Sequence, residues 1–158
     1  ISMNYKINQL NKPIECSQIK FPDIEALKYG KVAEGKADTI TVFNATSFSV
    51  SIGINIDVST FMRTQKNYID RLIQENIVKA DKLFFVDKDN NVYISTGLEI
   101  IFLMFASKDY QIYFFELLED ILTNGMAFSD GLILKMAMER IPNDTLQEIV
   151  YHRNEQKK

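Results

Sequence analysis

Three carboxylates and an asparagine come closest to a chemical motif in this chain. Asp87, Asp89 and Asn91, within "DKDNN", fall at the first, third and fifth positions of a calcium loop. Such a loop needs glycine at its sixth position for the sharp turn and a bidentate glutamate at its twelfth. Here those positions are Val92 and Leu98, so the stretch reads as a polar hairpin tip. Asp87, Asp89 and Glu99 could instead supply general acid–base chemistry, the work of a carboxylate-based enzyme without a recognisable motif. His152 is the single histidine, which excludes His-rich metal sites and histidine pairs. Cys16, the single cysteine, has no nucleophile context and reads as a small buried hydrophobe. A phosphate-binding glycine loop, H-E-x-x-H and G-x-S-x-G are absent. The reading therefore leans away from catalysis, with no catalytic residue, metal or cofactor assigned.

The elements that would position these groups follow from pattern. "NYKINQL" and "IECSQIKF" are weak strands separated by Pro13, and "FPDIEALKYG" is expected to be a short helix closed by Gly30. "KVAEGKAD" reads as an exposed loop, and "TITVFN" as a strand. A helix is expected at about 67–78, capped by Asn67, with Ile69, Leu72, Ile73 and Ile77 on one face. Leu83 to Val86 and Val92 to Ile94 form a hairpin around the Asp/Asn turn. From Gly97 onward the pattern is helical. "GLEIIFLMFAS" is apolar on nearly all sides, and a second helix, capped by Asp109, stops at Asn124-Gly125. Ser129 and Asn143 open two more, and residues 154–158 should fray. Strands followed by helices imply an α+β fold: a small, mainly antiparallel sheet, then three or four helices. The expected domain is single and runs over 3–158, with Ile1 and Ser2 preceding the natural start at Met3.

Two surfaces invite a partner. In "SFSVSIGINIDVS" the even positions from Phe48 to Val58 are apolar and the odd ones small or polar. Strict alternation reads as a strand, with Ser47, Ser49, Ser51, Gly53 and Asn55 as a flat face that costs little side-chain entropy to cover. Glu116, Glu119 and Asp120 cluster on one side of the 109–123 helix and would suit a basic partner.

The helix-then-hairpin run "RLIQENIVKADKLFFVDKDNNVYIST" resembles the recognition helix and wing of multiple-antibiotic-resistance-type regulators. The resemblance covers about a fifth of the chain and implies a winged-helix-like DNA-binding regulator. Between Thr60 and Lys82 it supplies Arg63, Lys66, Arg71, Lys79 and Lys82 against Asp70, Glu75 and Asp81, a net of +2. Lys88 would add to this at the wing tip.

Bulk composition ranks these alternatives. With 46% hydrophobic residues the 158-residue chain can bury a real core. A net charge of −3 argues against a surface built mainly for phosphate. One cysteine cannot make an intrachain disulfide, which favours a reducing, cytoplasmic setting. The apolar run "IFLMFA" is far short of the roughly 20 residues that span a bilayer, so no membrane role is expected. The leading expectation is a non-enzymatic intracellular binding or assembly protein, working with a protein partner or by self-association. Nucleic acid is the less favoured partner.

Overall fold

The computed structural model describes residues 5–21, 23–35 and 38–125, with isolated positions between 134 and 148. Six strands form one mixed, mostly antiparallel sheet: β1 (Ile7–Gln9), β2 (Gln18–Ile19), β3 (Lys28–Glu34), β4 (Asp38–Asn44), β5 (Phe84–Val86) and β6 (Val92–Ser95). Their order across the sheet is β1-β5-β6-β4-β3-β2, and only the β1–β5 pair is parallel. Among the contiguous described residues five α-helices accompany it: α1 (Ala45–Ile52), α2 (Val58–Thr64), α3 (Lys66–Gln74), α4 (Glu99–Ala106) and α5 (Lys108–Asn124). The α+β class, the two weak N-terminal strands, the "TITVFN" strand and the 83–94 hairpin are all as expected. The helices expected to open at Ser129 and Asn143 fall mostly outside the described residues, as do His152 and the 154–158 tail.

Strand alternation gives the sheet two buried faces. Tyr29, Phe43, Phe84 and Ile94 join the larger core beneath the helices. Phe102 of α4 is its hub, with Phe43, Phe48 and Phe61 at ring-centroid distances of 5.2, 5.9 and 5.4 Å. On the opposite face, Val32, Val42, Phe85 and Tyr93 pack against Leu10, Ile14 and Cys16. Because β1 and β2 lie at opposite edges, the 10–17 segment between them crosses the sheet as a strap. Gly30 makes room for it: a Cβ there would stand 2.4 Å from the Glu15 carbonyl oxygen.

The principal correction concerns residues 47–59, which are two helices and a loop rather than a strand. Ala45, Phe48 and Ser49 are buried and Ile52 is half-buried, a spacing that marks one helical face. Val50, one of the residues assigned to the apolar strand face, is 77% exposed. Local caps reinforce the helix. The Asn44 side chain accepts from Ser47 N–H at 2.9 Å. At the other end Gly53 adopts φ 69°, and the Ser49 carbonyl accepts from Ile54 N–H at 3.0 Å. Asp57 then caps α2 by accepting from Ser59 N–H. Two caps and the pull of the Phe102 cluster override the strand propensity of Val, Ile and Phe.

Smaller corrections concern other stretches. "FPDIEALKYG" is a pair of tight turns, Ile24 to Phe21 and Leu27 to Ile24, that lead into β3. The expected loop "KVAEGKAD" is the β3–β4 hairpin, turning at Gly35 with Glu34 opposite Asp38. Helix α3 begins at Lys66, so Asn67 lies inside its first turn, and Ser107 rather than Asp109 caps α5.

Candidate functional site

Helix α5 has three faces, set by its residue order at about 100° per residue. Tyr110, Tyr113, Phe114 and Leu117 pack on the core. Phe115, Leu118 and Leu122 form a second, apolar stripe that remains exposed, Leu122 to 81%. Glu116, Glu119 and Asp120 form the third, and all three are exposed, as the sequence placed them. The apolar stripe continues upward to Gln111, which shares its i, i+4, i+7 spacing. Gln111 donates its side-chain N–H to the Met104 carbonyl at 2.8 Å, fixing the start of α5 against the end of α4. It also lines an open cleft of about 450 Å³ together with Gln65, Tyr68, Ile101, Met104 and Phe105. Cleft, stripe and acidic ridge are therefore contiguous along one helix. Apolar anchors beside amides and carboxylates can hold a protein segment.

The carboxylates singled out for acid–base work are not assembled into one centre. Asp87 is buried in the β5–β6 turn, where Oδ1 accepts from Asp89 N–H at 2.9 Å and Asn91 N–H at 3.0 Å. Its Oδ2 accepts from the Asn91 side chain at 3.0 Å and the Tyr93 hydroxyl at 2.9 Å. Burial alone would raise the Asp87 pKa, but these hydrogen bonds outweigh it and hold the carboxyl below its ordinary value. Tyr93 in turn accepts from Ile14 N–H at 3.0 Å, which opposes burial and the hydrogen bond to Asp87 that together push its phenol up to about 12. Asp89 is exposed at the tip. Glu99 opens α4, where its side chain is 8% exposed and paired through Oε1 with Lys20. Among the described residues no group of three or more His, Cys, Asp or Glu is placed to hold a metal.

The remaining candidates scatter. Ser47 and Ser51 are exposed on α1, Asn55 is exposed in the following loop, and Gly53 is a helix cap. Ser49 is buried, with its hydroxyl donating to the Ala45 carbonyl. These positions form no common strand face. Of the bases in the helix-and-wing reading, Lys66 pairs with Asp70 and Arg71 with Glu75, each one turn along α3. Arg63, Lys79 and Lys88 are exposed, and Lys82 is half-buried. The hairpin carrying Lys88 is interior to the sheet, with β5 paired to β1 and β6 to β4, so only its turn is free of strand neighbours. Cys16 is half-buried in the strap, where burial pushes its thiol up against an opposing hydrogen bond at Asn44.

Sequence reasoning missed the cleft and the surroundings of Glu99. Gln65, Tyr68 and Gln111 carry no motif, and Lys20 lies 79 residues from Glu99. A helical wheel of 108–124 would have exposed the stripe, because Phe115, Leu118 and Leu122 fall outside the arc of Tyr110, Phe114 and Leu117. Among the described residues no helix is long and apolar enough to cross a membrane. Comparison with protein families, curated proteins and solved structures returns no match.

Proposed function

We propose that the protein is a non-enzymatic binding module that docks a protein partner along α5. The observation that carries this reading is the exposed stripe of Phe115, Leu118 and Leu122 between the Gln111 cleft and the acidic ridge. The partner presents two or more bulky apolar side chains a helical turn apart, one of which enters the cleft. Lysine or arginine beside them faces Glu116, Glu119 and Asp120, which gives register and speeds encounter.

The test uses the full chain against amphipathic helical peptides with leucine or phenylalanine anchors and flanking lysines. Saturable binding that weakens on Phe115→Asp and on added salt supports the reading. Binding indifferent to Phe115→Asp overturns it. So does a dimer that dissociates on that substitution, because the face then serves a second copy of this chain.

A further inference from the structure

The Asn124-Gly125 pair that ends α5 is also a reactive sequence. Of the asparagines in the chain, Asn124 is the one followed by glycine. A glycine nitrogen has no Cβ beside it, so it reaches the preceding asparagine side chain with the least steric hindrance. Asn124 and Gly125 are both exposed. A Cβ built on Gly125 would meet no described atom within 4 Å, which leaves room beside the glycine for a ring to close. One contact opposes the reaction. The Gly125 N–H donates to the Ile121 carbonyl at 2.9 Å, closing the last turn of α5 with Gly125 at φ 79°. That hydrogen bond lies at an exposed helix end, where local opening is easiest.

We propose that Asn124 is a site of spontaneous deamidation, gated by the opening of the last turn of α5. When the turn opens, the Gly125 nitrogen loses its proton to solvent and attacks Asn124 Cγ. The bond from that nitrogen to Cγ forms, the bond from Cγ to the side-chain nitrogen breaks, and the side-chain nitrogen leaves as ammonia. Water then opens the cyclic imide on either side, giving aspartate or isoaspartate at position 124. The product matters because of where it stands. Position 124 is one helical turn beyond Asp120, so the new carboxylate extends the row of Glu116, Glu119 and Asp120 to the end of the helix. It also places negative charge at the C-terminal pole of α5, which the helix dipole disfavours, four residues from a like charge. Conversion therefore loosens the turn that had restrained it.

The experiment incubates the full chain at mildly alkaline pH, native in one series and unfolded in guanidinium chloride in the other. Mass spectrometry of sequenced fragments follows the conversion of amide to acid at residue 124. Conversion is expected in both series, about fivefold slower in the native protein, because one exposed hydrogen bond must open first. Gly125→Ala is the chemical control, read in the unfolded chain, where neither the cap nor the fold contributes. There it should slow conversion, because the added Cβ hinders the attacking nitrogen. An amide retained in the native protein while the unfolded chain converts would overturn the proposal, since the cap then seals the site. Equal rates in the two series would overturn the gating by the last turn. A rate in the unfolded chain unchanged by Gly125→Ala would overturn the ring-closing route, leaving direct hydrolysis of the side chain.

Discussion

The two buried carboxylates are held in opposite ways. Asp87, on the strap side of the sheet, accepts four hydrogen bonds from its own turn and from Tyr93. Glu99, on the helix side, has an ion pair with Lys20 and faces the Tyr29 hydroxyl. The first spends its whole accepting capacity on shaping a hairpin. The second is held by side chains brought to it from β3 and from the end of β2. Burial of a charge therefore says little by itself, whereas the origin of its partners separates an acid held by its own turn from one held by tertiary contacts.

The comparison breaks most readily at Asp87. Asp87→Ala leaves the Tyr93 hydroxyl, two backbone N–H groups and the Asn91 amide without their acceptor. A loss of about 3 kcal/mol or more is expected in the unfolding free energy read from urea denaturation. Acid provides a second handle. The folded Asp87 pKa is depressed, so its contribution is fully present above the unfolded value and is lost as pH falls through the folded one. Stability measured downward from pH 5 should therefore fall, and more shallowly in Asp87→Ala. A similar acid slope in both proteins would deny Asp87 that role.

Glu99 should respond less. Lys20→Met removes the cation from a buried carboxylate, but the lysine is half in water and screened. A loss of about 1 kcal/mol is expected at neutral pH. Adding Glu99→Gln should return most of it, a coupling that a double-mutant cycle reads directly. Additive losses would show that the two side chains do not interact. The smallest change is expected at the α5 stripe. Phe115→Asp should shift thermal stability by no more than about 0.5 kcal/mol, because the side chain is 55% exposed. A larger loss would mean that Phe115 belongs to the core.

The same contrast explains what the sequence makes legible. The β5–β6 hairpin is readable because "DKDNN" carries its turn chemistry locally and the strands alternate around it. The stop of α5 at Asn124-Gly125 is readable for the same reason, whereas its cap, expected at Asp109, lies two residues earlier at Ser107. Residues 45–52 mislead because the helical positions Ala45, Phe48, Ser49 and Ile52 are interleaved with an unrelated alternation. There the arbiter is the distant Phe102, which no window of that length contains. The acidic ridge of α5 follows from spacing alone. The Lys20, Tyr29 and Glu99 cluster does not, because it exists only after β2, β3 and α4 have come together.

The strap has a consequence for how the protein resists misassembly. β1 and β2 are the sheet's two edge strands, three and two residues long, and a single stretch of chain joins them. Short edges offer little template for another chain's strand. Here each edge is also restrained by the other, through a crossing whose midpoint is pinned by the Ile14 amide on Tyr93. One proteolytic cut between Leu10 and Cys16 would free both ends together. It would leave β5 and β3 with open hydrogen-bonding ladders, and Val42 and Phe85 without their cover. The segment with the least regular structure of its own is thus what keeps the sheet from becoming adhesive.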